Sequence, residues 1–106
     1  VSVRVPTANV SLVDFKFVPS KATSAEEINK VVSEASRGEL KGVLSVYDEP
    51  LVSTDFNHDP HSSIFSLEGT KVIDEKFVRI MTWYDNEWGF SNRMLDTAAQ
   101  MHKVGY

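Results

Sequence analysis

The sequence predicts an α+β fold, in which a mixed, largely antiparallel sheet carries helices on one face. Seven short segments have β character, whereas two longer segments place apolar residues at helical spacing. Several connections between the β segments are too short to hold a crossover helix, so those strands are expected to be antiparallel neighbours. The 106 residues show no internal repeat or linker and are predicted to form one unit.

Two strand patterns come first. Residues 1–5 alternate apolar and polar side chains, and Pro6 ends that pattern. Because the alternation is already under way at Val1, we expect the chain to be a fragment of a longer protein. Residues 9–18 predict a second strand, with one face buried and the other partly buried.

The clearest helical pattern covers residues 23–37. Ser24 and Glu27 predict a capping box, in which each side chain binds the free backbone N–H of the other residue. Gly38 suits a left-handed cap after the last turn. The helix is expected to cover one face of the sheet with an apolar stripe. The stripe comprises Ile28, Val31, Val32 and Ala35.

Five further strands are predicted, each rich in β-branched or aromatic residues. They cover residues 42–47, 51–56, 62–67, 70–73 and 77–84. The last of them is apolar on both faces apart from Arg79 and Thr82, which is typical of a central strand that is covered on both sides. Residues 57–63 are polar, contain Pro60 and predict a loop.

A final helix is predicted from Trp88 to about His102, following Asp85 and Asn86, which stop the strand and can cap the helix. Apolar side chains recur along it at near-helical spacing. They are Phe90, Met94, Ala98 and Met101.

Composition excludes several classes of function. The formal net charge is −4 and no two Lys or Arg residues are adjacent, which argues against a nucleic-acid partner. The absence of cysteine excludes disulfides and thiolate metal sites. No apolar run approaches the roughly 18–20 residues of a membrane span, and no signal peptide is present, so we expect a cytoplasmic protein without a membrane partner.

The junction over residues 83–93 is crowded with amphipathic side chains. Its aromatic residues can simply anchor the helix to the sheet. Asn86, however, offers a donor and an acceptor together, and this pair complements a carboxamide. Strand ends beside a helix start are also common ligand positions. Both interpretations stay open at this point.

Arg4 lies inside an otherwise apolar strand pattern, where its charge requires a partner. An internal carboxylate and a bound phosphate are equally suitable partners for the guanidinium group. His58 and His61, with aspartates nearby, resemble metal ligands, but their loop contains a proline and lacks a helical face. We predict no metal site and expect a loop whose Asp and Ser side chains bind its own backbone.

Four collinear motifs carry a family resemblance. They are RVPTANVSLVD at residues 4–14, LKGVL at 40–44, LVSTDFN at 51–57 and WYDNEWGFSNR at 83–93. With them, residues 1–106 resemble the C-terminal portion of the catalytic domain of phosphorylating glyceraldehyde-3-phosphate dehydrogenases. The NHDPHS form at residues 57–62 is similar to the bacterial members and to the related erythrose-4-phosphate dehydrogenases.

The resemblance implies part of a tetrameric, NAD-dependent enzyme of glycolysis. Such an enzyme oxidises and phosphorylates glyceraldehyde 3-phosphate to 1,3-bisphosphoglycerate, with inorganic phosphate as co-substrate. The family's mechanism uses a cysteine thiolate, activated by a histidine, to attack the aldehyde. That pair and the NAD-binding Rossmann domain are expected to lie outside this chain, so the isolated chain should be inactive and supplies no catalytic residue.

The resemblance also assigns roles by position. Arg4 is similar to the arginine that holds the substrate phosphate or inorganic phosphate. Asn86 resembles the asparagine that binds the nicotinamide carboxamide, with Tyr84 and Glu87 beside it. Phe90 stands where the family often has tyrosine near the nicotinamide.

Two alternatives remain. An erythrose-4-phosphate dehydrogenase would share these motifs. The chain could also be a non-catalytic module that associates with itself through sheet edges and apolar faces.

Overall fold

A computed structural model describes residues 1–105. Residues 1–105 form a five-stranded mixed sheet and two α-helices, which confirms the α+β class. The elements are β1 Ser11–Phe17, α1 Ala25–Arg37, β2 Leu44–Tyr47, a 3₁₀ helix Ser53–Phe56, β3 Ser63–Ser66, β4 Lys71–Ile73, β5 Phe77–Tyr84 and α2 Trp88–Val104. Neither helix within residues 1–105 is long and apolar enough to cross a membrane.

Strand β5 organises the sheet. The order is β1-β5-β3-β2, and β4 also pairs with β5. Strand β5 runs antiparallel to β1, β3 and β4, as a largely antiparallel sheet requires, whereas β2 and β3 are parallel. Two neighbouring parallel strands need a long connection between them. Residues 48–62 supply it between β2 and β3, and they form no other strand.

The strand predicted over residues 51–56 is wrong, since the 3₁₀ helix occupies its place. Asp55 Oδ2 accepts a hydrogen bond from the backbone N–H of Val52 at 2.7 Å, and this local bond favours a turn over an extended strand. The turn directs Phe56 into the core, where its ring lies 5.0 Å from Tyr47 and 5.5 Å from Trp83, centroid to centroid.

The strand predicted over residues 1–5 is also absent. These residues are exposed and pair with no strand within residues 1–105, and extended backbone without a neighbour is not a strand. The burial expected of β1 is also wrong, because little within residues 1–105 packs against its faces. As an edge strand of the described sheet it leaves Val13 41% and Phe15 51% exposed. Strand β5 is central as predicted, but most of its side chains are only half-buried.

The apolar core lies beneath the end of β5. Trp83 donates a hydrogen bond from Nε1 to the hydroxyl of Tyr47 at 2.6 Å, which satisfies the polar end of a largely apolar side chain. The core therefore packs against the C-terminal end of β5. Its members are Val10, Phe56 and Ile64, with Tyr47, Leu51 and Trp83 packed against them.

Helix α1 confirms half of its predicted capping box. Ser24 Oγ accepts from the backbone N–H of Glu27 at 3.1 Å, but the Glu27 carboxylate accepts from the hydroxyl of Thr23. Gly38 has φ −103°, so the predicted left-handed cap is wrong, although its N–H still donates to the Glu34 carbonyl. Val31 is exposed, whereas the other three residues of the predicted stripe are half-buried.

Helix α2 extends two residues beyond its predicted end, to Val104. Three of its apolar side chains, Phe90, Met94 and Met101, are about half exposed or more. Within residues 1–105 the apolar stripe of α2 is therefore largely uncovered.

Asn29 should anchor α1 to the sheet. Its amide donates to the Leu67 carbonyl at 3.0 Å and accepts from the buried hydroxyl of Thr70 at 2.7 Å. We expect Asn29→Ala to lower the free energy of unfolding by about 1–3 kcal/mol, because two polar groups lose their partner. Urea unfolding of the 106-residue chain, followed by circular dichroism, measures this change. Lys30→Ala, at an exposed neighbour, is the control, and equal losses for both variants would contradict the anchoring role.

Candidate functional site

Three segments meet where β5 ends and α2 begins. Ser11 is opposite Tyr84 in the antiparallel pairing of β1 with β5, so the start of β1 lies beside the end of β5. The loop before β3 reaches the same place, because the Asn9 amide donates to Asn57 Oδ1 at 2.7 Å. The site is therefore built from residues 9–11, 57–61 and 84–90.

The Asp85 carboxylate joins the three segments. Oδ1 accepts the backbone N–H of Glu87 at 3.1 Å and of Trp88 at 2.9 Å. Oδ2 accepts the backbone N–H of His58 at 2.9 Å and the Asn9 side-chain amide at 2.8 Å. The first pair binds backbone N–H groups where α2 begins, although the N-cap residue itself is Glu87 and not, as predicted, Asp85 or Asn86. The second pair was not foreseen.

Asp85 is only 3% exposed, yet it is held as a carboxylate. Burial alone raises the pKa of a carboxyl group, but the N–H groups of Trp88, His58 and Glu87 and the amide of Asn9 favour the charged form. Their combined effect outweighs burial, and the pKa of Asp85 lies below its usual value. The junction thus carries a buried negative charge that is fully hydrogen-bonded.

Asn86 follows directly and is exposed. The hydroxyl of Ser11 lies 2.7 Å from Nδ2 and 3.1 Å from Oδ1 of the Asn86 amide. The Asn86 amide has two N–H donors and a carbonyl oxygen with two lone pairs, so contact with a single hydroxyl leaves hydrogen-bonding capacity at both ends. The amide can therefore offer a donor and an acceptor to a ligand.

The other predicted cofactor-binding residues lie within four positions of Asn86 in the sequence. Tyr84 is half-buried at the end of β5, and Glu87 is exposed just before α2. Phe90 lies in the first turn of α2 and is 66% exposed. Along the chain, Asn86 therefore lies between a half-buried tyrosine and an exposed phenylalanine.

Arg4 lies in the exposed segment before β1 and forms no ion pair within residues 1–105. The internal salt bridge considered for it is therefore not formed there. Arg4 is seven positions before Ser11, so the two Cα atoms are at most about 25 Å apart. Its contact with phosphate stays a prediction.

The loop histidines make packing and hydrogen-bonding contacts. The rings of His58 and Trp88 stack with centroids 4.8 Å apart. Asp59 Oδ1 accepts from the backbone N–H of His61 at 2.9 Å and lies 2.7 Å from its Nδ1. The expected bond from an aspartate to the loop's own backbone is confirmed, whereas the serine part of that expectation is not, since the hydroxyl of Ser63 contacts that of Thr82 on β5. Within residues 1–105, no three His, Asp or Glu side chains come together as metal ligands.

Gly89 lets α2 approach this loop closely. A Cβ atom at this position would lie 2.9 Å from the carbonyl oxygen of His61, which is too close for any other residue without movement of the backbone. The roles of Gly89, Asn9 and Ser11 were missed at the level of sequence. Each depends on a contact between distant segments, and no local pattern in the sequence signals such a contact.

Comparisons with known proteins agree with the resemblance. The family model described as glyceraldehyde 3-phosphate dehydrogenase, C-terminal domain, matches residues 1–86. The chain is 58% identical to the glyceraldehyde-3-phosphate dehydrogenase of Xanthobacter flavus and 57% identical to that of Cereibacter sphaeroides, in each case over 98% of this chain and 31% of the relative. It is 60% identical to the Zymomonas mobilis protein of the same name, again over 98% of this chain and 31% of the relative. The chain thus spans about a third of the length of these curated relatives.

Asp85 should make stability depend on pH. Its pKa is lower in the folded chain than in the unfolded chain, so its contribution is present above the unfolded pKa of about 3.9 and is lost as pH falls through the folded pKa. We expect Asp85→Asn to lower the free energy of unfolding by roughly 1–3 kcal/mol at neutral pH, and by less as the solution is acidified.

Urea unfolding of both proteins from neutral to acidic pH tests this expectation. Asp14 and Glu26 also have lowered pKa values, but both are present in each protein and their effects cancel in the difference. A difference in stability that stayed constant across the pH range would show that the charge of Asp85 is not the cause.

Proposed function

The chain belongs to the glyceraldehyde-3-phosphate dehydrogenase family, as part of its C-terminal domain, and we propose that it supplies nicotinamide and phosphate contacts to an NAD-dependent dehydrogenase. The whole protein would oxidise and phosphorylate glyceraldehyde 3-phosphate to 1,3-bisphosphoglycerate as a homo-tetramer. Residues 1–106 would be the C-terminal portion of the catalytic domain, with the Rossmann domain outside this chain.

The observation that supports this proposal most is the exposed amide of Asn86, which is contacted by the hydroxyl of Ser11. A nicotinamide carboxamide has one carbonyl acceptor and one NH₂ donor group, and the Asn86 amide complements both. Tyr84, Glu87 and Phe90 would line the surroundings of the ring. When bound, NAD accepts the hydride that the aldehyde loses on oxidation. The role of Asn86 is to hold the carboxamide and so set which face of the ring meets the substrate.

Arg4 would bind the second ligand. Glyceraldehyde 3-phosphate and inorganic phosphate are both anions, and the chain has a net charge of −4, so a placed cation is needed to hold them. The planar guanidinium group matches two phosphate oxygens at once. Arg4 is exposed and makes no ion pair within residues 1–105, so it is available for this contact.

Covalent catalysis would depend on groups from outside this chain. None of the 106 residues is a cysteine, and the three histidines lie outside the family's catalytic motif. A thiolate and its histidine base would therefore be supplied by the rest of the protein. This division of roles explains why the isolated chain is expected to be inactive.

Kinetics of the full-length protein that carries this segment test the two contacts separately. We expect Asn86→Ala to raise the KM for NAD about ten-fold or more, since a hydrogen-bonded carboxamide loses its partner. Arg4→Ala should raise the KM for glyceraldehyde 3-phosphate and phosphate by a similar factor and leave the KM for NAD nearly unchanged.

Controls come from the same chain. Arg37→Ala removes an exposed arginine at the end of α1, and Asn92→Ala removes an α2 amide that bonds only to Trp88 in the described structure. Both should leave the two KM values unaltered, and the 106-residue chain alone should show no NAD-linked turnover. Turnover by the isolated chain, or unaltered kinetics for Asn86→Ala and Arg4→Ala, would overturn the proposal. Relative kcat/KM on the triose and tetrose phosphates separates the glyceraldehyde from the erythrose enzyme.

Self-association is favoured by a separate observation, the exposed apolar surface. An uncovered edge strand and an uncovered apolar helix are both prone to pair with a second copy. The exposed side chains include Val13 and Phe15 on β1 and Phe90, Met94 and Leu95 on α2.

We therefore expect the isolated 106-residue chain to form oligomers whose mass rises with concentration. Light scattering over a concentration series measures this. Leu95→Glu on α2 and Phe15→Lys on β1 should each lower the average mass, whereas Lys30→Ala should not. A monomer at every concentration tested would contradict the expectation.

A further inference from the structure

We propose that Asp85 is a positioning residue for the cofactor. It would fix Asn86 in the orientation that meets the nicotinamide carboxamide, and this inference rests on the proposed function. Asp85 itself would not touch NAD. It is buried, and its two oxygens already accept four hydrogen bonds from the protein.

The first step of the argument is the loop that Asp85 closes around Asn86. Its Oδ1 accepts from the N–H groups of Glu87 and Trp88, which are the two residues directly after Asn86. The side chain of the residue before Asn86 is thus bonded to the backbone of the two residues after it. A side-chain bond two and three residues along the chain holds a turn in one conformation, so the φ and ψ angles of Asn86 cannot change without breaking these bonds.

The second step concerns the side chain of Asn86. Oδ2 of Asp85 binds the amide of Asn9, and Ser11, two residues later, contacts the amide of Asn86. The same carboxylate therefore holds the backbone of Asn86 and the segment that orients its side chain. Its bond to the N–H of His58 adds the loop whose ring stacks on Trp88.

The third step is the precision that a carboxamide contact requires. A binding group has to be held within about 0.5 Å and 10–20° of its productive geometry to discriminate between ligands. Asn86 is exposed, so packing does little to restrict it. The hydrogen bonds organised by Asp85 are the main restraint on its position within the described residues.

A cofactor analogue separates positioning from general stabilisation. In 3-acetylpyridine adenine dinucleotide a methyl group replaces the NH₂ of the nicotinamide carboxamide, so it cannot donate to Asn86 Oδ1. The ratio of kcat/KM for NAD to that for the analogue reports how well Asn86 is placed. Comparing this ratio between variants cancels the difference in redox potential between the two cofactors. A loss of stability alone lowers the folded fraction and leaves the ratio of the remaining enzyme unchanged.

The experiment compares Asp85→Asn, Asn86→Ala and Asp14→Asn in the full-length protein, with rates normalised to folded protein. The Asp85→Asn change would set an NH₂ group against N–H donors that now share a carboxylate oxygen. Asp14→Asn makes the same chemical change on β1, outside the site, where the carboxylate binds Arg79 and Lys16. We expect Asp85→Asn and Asn86→Ala to raise the KM for NAD about ten-fold and to lower the ratio of kcat/KM for NAD to that for the analogue. Asp14→Asn should leave the KM for NAD and this ratio unchanged.

The possible failures are distinguishable. If Asn86→Ala loses the discrimination and Asp85→Asn keeps it, the positioning role is wrong while the proposed function stands. If Asn86→Ala itself keeps the discrimination, the carboxamide contact is wrong, and the positioning role falls with it. Should Asp85→Asn not fold, Asn9→Ala removes one of the four bonds and should produce a partial loss of discrimination. An unchanged ratio for Asn9→Ala would then overturn the inference.

Discussion

The buried carboxylate of Asp85 is the interaction on which the rest of this site depends. A buried charge is costly unless it is paired or hydrogen-bonded, and here four donors from three segments share two oxygens. The same bonds start α2, hold the loop that contains His58, and bring the segment before β1 against the end of β5. Loss of this one group would therefore disturb all three segments together.

Strand topology explains why such distant segments can meet. Strand β5 pairs with three neighbours, and its antiparallel register with β1 sets Ser11 opposite Tyr84. The chain therefore enters β1 at the end of the sheet that carries Asn86. The largely uncovered faces of β1 and α2 agree with a chain that spans about a third of its relatives.

The features predicted correctly from the sequence are those that depend on interactions between residues close together in the chain. Helix α1, its Ser24 cap and the central strand β5 follow from short-range periodicity and hydrogen bonding. Contacts between distant segments were not predictable in this way, and they include the parallel pairing of β2 with β3 and the link from Asn9 to Asp85. The burial expected for β1 was wrong because it depends on what packs against the sheet. The 3₁₀ helix at Phe56 shows a local bond from Asp55 overriding strand propensity.

A crystal structure of the full-length protein with NAD and inorganic phosphate tests the central claim most directly. The nicotinamide carboxamide should lie within hydrogen-bonding distance of the Asn86 amide, at about 2.9 Å, with Asp85 still bound to its four donors and phosphate on the guanidinium group of Arg4. A nicotinamide ring bound away from the β5–α2 junction, with Asn86 facing only solvent and Ser11, would contradict it.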